Sequence, residues 1–229
     1  MRQVPSTESG AKPGTEPGAE SGTDATSARP AGRAVPVFGL ITPGDWYRIP
    51  LQPRERREAS MSALIKRQFA GVDDQPILRR KAEEQLRGTA EAGVEQGGVV
   101  LYLSFLEAGG IPLSASLLVT HLHRKFDSLD AVAALAGTGE VGVVTLPEAG
   151  RAARLLRRRR TKQARKLGTE FEDTVVEYFV PVPDRDEVLM LTFSTPLEPI
   201  ADAMVGLFDA VAETLRWQRP SEETKGEWE

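Results

Sequence analysis

The sequence has no cysteine among its 229 residues. Its absence excludes disulfide bonds, thiol nucleophiles and thiolate metal ligands, while it is compatible with any cellular compartment. Histidine occurs only twice, so every mechanism that needs an imidazole is limited to His121 or His123. No run approaches the roughly 20 consecutive apolar residues of a membrane-spanning helix, and the first residues lack the apolar core of a signal peptide. The sequence therefore predicts a cytoplasmic protein.

Large apolar side chains are almost missing from the first 34 residues, which are rich in Ser, Thr, Gly, Pro, Ala and Glu. Such a segment cannot bury enough surface to offset its ordering entropy, so residues 1–34 are predicted to be a disordered tail. Residues 35–220 have the length of a single domain with a real core, and residues 221–229 are predicted to be a flexible C-terminal tail. The net charge of −4 argues against a dedicated nucleic-acid binder, although it leaves room for a local basic patch.

The clearest structural pattern lies between Asp173 and Trp217. Two runs of β-branched, aromatic and aliphatic residues flank the polar segment DRDE, which predicts two strands joined by a tight turn. Apolar residues then recur at three- and four-residue steps from Ile200 to Leu215, as in a helix with one buried face. A hairpin followed by an amphipathic helix is therefore expected here, and it needs further sheet from the upstream chain.

The upstream chain supplies strands and helices in separate groups. A hairpin is predicted from PVFGLI and WYRIPL around the turn TPGD, with Trp46 packed on the core. Two helices follow, one opened by Pro53 and one with Pro76 in its first turn, capped by Asp73 or Asp74. In the second helix, four residues are expected to face inward: Ile77, Leu78, Leu86 and Ala90.

Further along, two strands joined by EAGG, a short helix after Asp127 and the strand EVGVVTLP are expected. The segment AARLLRRRR favours a strand that is half buried at its start and ends in a charged sheet edge, because a helix there would lack an inner face. Short turns between consecutive strands imply antiparallel pairing. The predicted fold class is α+β, an antiparallel β-sheet flanked by helices as an α/β/α sandwich.

Candidates for catalysis are few. His121 and His123 lie two apart on a predicted strand and could share one face to chelate a metal, with Asp127 as a third ligand. Asp127 is better used as a helix cap, and histidines at the end of a strand are more often surface residues, so neither a metal nor a cofactor is predicted. Ser194 lies between a strand and a helix but lacks the glycines of a nucleophile elbow. Thr195 and Glu198 are more simply interpreted as a helix-capping pair, and no catalytic residue is predicted.

The basic run from Arg151 to Lys166 is the candidate binding surface. It could dock an acidic protein, an anionic lipid or a nucleic acid, or it could be a solvated edge that blocks strand-to-strand aggregation. No aromatic residue is interleaved with the arginines, which weakens stacking on single-stranded nucleic acid. The predicted binding residues are Arg154, Arg157, Arg158, Arg159, Arg160 and Lys162.

The unit EYFVPVP…LMLTFSTP…LFDAVAETLRW, together with WYRIPL, resembles the PsbP-like superfamily, which includes the extrinsic photosystem II subunit and a Ran-binding nuclear import factor. It is most similar to small uncharacterised actinobacterial proteins of that kind. The resemblance implies an antiparallel sheet sandwiched between helices and used as a binding scaffold, not as an enzyme. Family roles differ widely, so a specific function does not transfer, and no family ligand residue can be matched here.

The sequence thus predicts a non-enzymatic binding or adaptor protein that engages an acidic protein partner through a face of the sandwich or the arginine-rich hairpin. One alternative is a hydrolase with a site near His121 and Ser194, and another is nucleic-acid binding through the basic run 151–166. The oligomeric state is left open.

Overall fold

The computed structural model describes residues 37–71, 75–123, 131, 134, 139–159 and 172–218. The predictions for both tails and for the capping aspartates before Pro76 lie outside these residues. The sequence also predicts that TKQARKLGTEFED, after the arginine run, is an exposed loop, and most of that segment lies outside them too. The predicted short helix after Asp127 also lies outside them, apart from the helical residues Ala131 and Ala134. None of the described helices is long and apolar enough to cross a membrane.

The described strands are between two and ten residues long. They are β1 (Phe38–Gly39), β2 (Trp46–Pro50), β3 (Gly98–Ser104), β4 (Leu106–Ala108), β5 (Ile111–Leu113), β6 (Ser116–Leu122), β7 (Glu140–Leu146), β8 (Gly150–Arg159), β9 (Asp173–Pro181), β10 (Val188–Thr195) and β11 (Arg216–Trp217). The described helices of more than one turn are α1 (Arg54–Gln68), α2 (Pro76–Glu95) and α3 (Ala201–Glu213).

A seven-stranded sheet forms the middle layer, in the order β2-β3-β6-β10-β9-β8-β7, and all its neighbouring strands are antiparallel. Helices α1 and α2 pack on one face through β2 and β3, whereas α3 covers β9 and β10 on the other. The predicted α+β class with an antiparallel sheet between helices is therefore confirmed. Two small pairs, β1 with β11 and β4 with β5, lie outside the main sheet.

The predicted hairpin between β1 and β2 is wrong. Phe38 pairs with Trp217 of β11, and β2 pairs along its whole length with β3. The turn itself forms, since the amide of Trp46 donates to the carbonyl of Pro43 at 3.0 Å. A tight turn reverses the direction of the chain but does not determine which strands pair. β2 pairs with β3, which is a longer strand than the two residues of β1. Trp46 is buried, as predicted.

The sequence predicts the position of α2 correctly, but only two of the four residues that are expected to face inward are buried. Leu86 and Ala90 are buried as expected, whereas Ile77 and Leu78 are 65% and 52% exposed. The buried residues of α2 all lie from Leu86 onward. A 20-residue helix is about 30 Å long, so its first turns extend past the part of the sheet that its later turns cover.

The arginine-rich segment is a strand, as predicted, but its placement at a sheet edge is wrong. β8 lies between β7 and β9, and β7 is the edge strand. The pairing of β7 with β8 runs from Glu140 opposite Leu156 to Leu146 opposite Gly150. The upstream strand β7, whose one charged residue is Glu140, therefore occupies the edge position, because a short turn lets it pair directly with the first seven residues of β8.

The core beneath α3 is built around Phe193 of β10. Its ring stacks on Phe208 of α3 with centroids 5.0 Å apart and meets the edges of Trp46 and Tyr178 at 6.5 and 5.9 Å. Both stacked phenylalanines are fully buried. Stacked and edge-to-face contacts of this kind add to the free energy of burying the rings, so this cluster fastens α3 to the sheet.

Replacing Phe193 with alanine should lower the free energy of unfolding by about 4 kcal/mol, because it removes a buried ring and leaves a cavity. The matched control is Ile77→Ala, which should change it by less than about 0.5 kcal/mol because Ile77 is largely exposed. Urea denaturation followed by circular dichroism measures both. Equal losses for the two variants would contradict this assignment of the core.

Candidate functional site

The arginines of β8 do not form one patch. Successive side chains of a strand point to opposite faces of the sheet. Arg154 and Arg158 therefore share the face covered by α3, where they contact Asp209 and Asp202 of that helix. Arg157 lies on the opposite face and contacts Glu177 of β9. The predicted binding surface is thus divided by the sheet.

Arg154 is the most tightly held of these arginines. Its guanidinium donates two hydrogen bonds to the carboxylate of Asp209, at 2.8 and 3.0 Å, and only 19% of its side chain is exposed. The hydroxyl of Tyr178 donates to the same carboxylate. Burial, together with this hydrogen bond, raises the pKa of Tyr178 above its usual value, so the phenol stays neutral. This network joins β8, β9 and α3.

Arg157 and Arg158 differ in burial. Arg157 donates to Glu177, whose side chain is 10% exposed, and both belong to the sheet. Arg158 donates to Asp202 at 3.0 Å, but that carboxylate is 95% exposed, so solvent weakens the pair. The side chain of Arg159 and the residues Arg160 and Lys162 lie outside the described part of the chain. The predicted binding arginines whose side chains are described therefore all contact a carboxylate of this chain.

The two edges of the main sheet are unequal. At one end, β2 is covered by α1, because the hydroxyl of Ser60 donates to the carbonyl of Arg48 at 3.2 Å and the hydroxyl of Tyr47 donates to the carbonyl of Ser60 at 3.1 Å. At the other end, β7 pairs only with β8, and nothing in the described ranges hydrogen-bonds to its outer side. Residues 141–146 carry no charge, and Val143 is 40% exposed. We call this outer side of β7 the free edge.

The two histidines are brought together with an acidic residue that sequence reasoning missed. His121 ends up buried on β6, and its Nε2 lies 3.0 Å from Oε2 of Glu187, which directly precedes β10. His123 is half exposed, and its Nδ1 lies 3.6 Å from Oε1 of the same carboxylate. The interpretation of His121 as a surface residue is therefore wrong, since the antiparallel pairing with β10 covers it. Asp127 lies outside the described residues.

Ser194 and His121 are far apart. The hydroxyl of Ser194 lies 2.8 Å from that of Ser116, whereas His121 is opposite Leu189, five residues earlier on β10. Five residues of strand span about 17 Å, which is far beyond hydrogen-bond reach. The geometry therefore does not join the serine and the histidine that the hydrolase hypothesis requires.

Thr195 caps a turn and not a helix, so the predicted capping pair is wrong. Its hydroxyl accepts a hydrogen bond from the amide of Leu197 at 3.2 Å and donates to the carbonyl of Ser114 at 2.8 Å. A single 3₁₀ turn at Glu198–Ile200 follows, and α3 begins only at Ala201. The proline inside that turn explains the delay, because it lacks the amide that a regular helix would use once past its first turn.

The residues that the sequence did not single out are Glu187 and Asp209. Glu187 belongs to the polar segment DRDE, which the sequence predicts to be a turn, and Asp209 is not among the apolar residues that predict the buried face of the last helix. Only the register between strands and the packing of α3 reveal their partners, and neither is encoded in local periodicity. The sequence shows the alternation of apolar residues in β7, but it does not show that β7 lies at the edge of the sheet.

The Arg154–Asp209 pair should matter for stability, because Asp209→Ala leaves a mostly buried guanidinium and the Tyr178 hydroxyl without their shared acceptor. We expect the free energy of unfolding to fall by about 2 kcal/mol. Asp202→Ala, which breaks the exposed pair with Arg158, should cost less than about 0.5 kcal/mol. Urea denaturation of both variants is the measurement, and a larger loss for Asp202→Ala would refute the ranking.

Comparison with known proteins adds no relationship to this geometry. No protein-family model matches the chain. No curated protein matches it either.

Proposed function

We propose that this chain is a cytoplasmic, non-enzymatic binding protein that adds an extended, acidic segment of a partner protein to the free edge of β7. The free edge carries the proposal. A strand at the rim of a sheet presents unpaired backbone donors and acceptors, and an extended peptide can complete the ladder through main-chain hydrogen bonds. Natural edges are usually blocked by charge, proline or a covering element, and residues 141–146 contain no charge and no proline.

The acidic character of the partner is inferred from Arg151. This residue lies opposite Thr145 in the pairing of β8 with the edge strand, and it is exposed. Arg151 has no carboxylate partner among the described residues, unlike Arg154, Arg157 and Arg158. An added strand would lie two strand spacings from β8, about 10 Å, so the positive charge of Arg151 would attract a carboxylate on it across β7. Such attraction favours correct partners and speeds their association. The basic residues from Arg159 to Lys166 follow in the sequence and carry positive charge, as Arg151 does.

The PsbP-like relationship is part of the same proposal. An α/β/α sandwich with its antiparallel sheet in the middle is compatible with that resemblance, which implies a binding scaffold. The alternatives have less support. The distance between His121 and Ser194 disfavours the hydrolase, and the carboxylate partners of Arg154, Arg157 and Arg158 reduce the charge available to nucleic acid.

A charge placed on the free edge should discriminate between partners of opposite sign. Val143→Asp should reduce capture of the partner at least tenfold. The new carboxylate would lose water when a strand is added beside β7, and this loss disfavours binding. Val143→Lys should retain most of the capture, since lysine matches an acidic partner, and Arg151→Glu should weaken it. The readout is quantitative mass spectrometry of proteins retained from the native cell extract on immobilised full-length chain.

The matched control is Ile77→Asp, which adds the same charge at an exposed site on α2. It should leave capture unchanged, and thermal unfolding should show that the edge variants stay folded. Identical retention by Val143→Asp and Ile77→Asp would refute the proposal. Sedimentation that shows the wild type self-associating through β7 would also refute it, because the occupant would then be a second copy of this chain.

A further inference from the structure

The cluster of His121, His123 and Glu187 is assembled by the register of the two central strands. His121 pairs with Leu189, and Leu122 pairs with Val188. Continuing this antiparallel register places His123 opposite Glu187. Because residues two apart on a strand share a face, His121 joins the other two on the same side of the sheet. The register of β6 and β10 therefore places the three residues next to one another on one face of the sheet.

The distances within the cluster are those of a site that is nearly closed. The three potential ligand atoms, one from each side chain, lie within 4.8 Å of one another. In a tetrahedral site with bonds of about 2.0–2.1 Å, ligand atoms are about 3.3 Å apart. The two imidazole rings already meet edge to face, with centroids 4.4 Å apart. Small side-chain rotations, without any change in the backbone, would therefore close the cluster around an ion.

We propose that His121, His123 and Glu187 form a binding site for a divalent transition metal of the zinc class. Two imidazole nitrogens and one carboxylate suit zinc, whereas calcium and magnesium prefer sites made of oxygen. Three protein ligands leave a fourth position for water or for a group from another molecule. His123 is 53% exposed and gives the ion a route from solvent, while His121 and Glu187 anchor it in the interior.

The Nε2 of His121 lies beside Glu187, so the other ring nitrogen is the one that needs a partner. The buried Nδ1 of His121 has no hydrogen-bond partner within the described part of the chain, which is unusual for a buried polar atom. No second hydrogen bond from those residues thus prevents the ring from rotating toward an ion.

Arg185 is a positive charge beside this site. Its Nη1 lies 3.4 Å from Oε2 of Glu187, and its side chain is 32% exposed. The guanidinium competes with an ion for the carboxylate, and it must turn toward solvent when the metal binds. Removing this cation should therefore tighten metal binding, which a merely structural histidine–glutamate contact would not predict.

The test is a titration of the full-length, chelator-treated chain with zinc, followed by competition with a chromophoric chelator. We expect one ion per chain, a rise in melting temperature with zinc concentration, and tetrahedral absorption bands when cobalt replaces zinc. His123→Gln should weaken binding at least tenfold, and its exposed position means that it should not disturb the fold. Arg185→Gln should tighten binding severalfold.

Glu55→Gln serves as the control, because it removes an exposed carboxylate on α1, which packs on the opposite face of the sheet, and it should leave the affinity unchanged. Failure of the wild type to bind zinc would overturn the proposal. Zinc binding that His123→Gln leaves unchanged would also overturn it, since the ion would then lie elsewhere. Magnesium or calcium binding as tightly as zinc would reject the metal class. These outcomes are independent of whether the free edge of β7 binds a partner.

Discussion

The antiparallel ladder of β6, β10 and β9 is the constraint on which the rest of this structure depends. These three strands lie in the middle of the sheet, and β10 pairs with both neighbours over nearly its whole length. Their register puts Phe193 beneath α3 and Glu187 opposite His123. A slip of one residue would turn every one of these side chains to the other face, so the aromatic core and the histidine cluster depend on the same ladder.

The sheet around this ladder ends in two different ways. Helix α1 closes the β2 end, and the hydroxyls of Ser60 and Tyr47 link the strand to the helix. At the β7 end, the described residues supply a hairpin partner on the inner side only. The arginines that drew attention in the sequence mostly stabilise the region just inside this edge, because Arg154 ties the sheet to α3 and Arg157 pairs within the sheet. Their role is in part structural, and the open surface is the strand beside them.

Local sequence patterns predict the helices and strands far better than they predict which strands pair with each other. The strands and helix from Asp173 onward, the first two helices and the arginine-rich strand were all identifiable from periodicity, proline and turn residues. The pairing of β1 with β11, across almost the whole domain, was not, because no local pattern records which strand will complete a ladder. Glu187 escaped notice for the same reason, and Ile77 was misassigned because apolar periodicity cannot tell where a helix leaves the sheet.

The central claim is that β7 offers a free edge to a partner, and amide hydrogen exchange tests it most directly. In the isolated chain, amides on the outer side of residues 141–146 should exchange much faster than those of β10. In the captured complex, the same amides should become protected, with little change in β6 or β10. Protection that appears on another surface and leaves β7 unchanged would contradict the account.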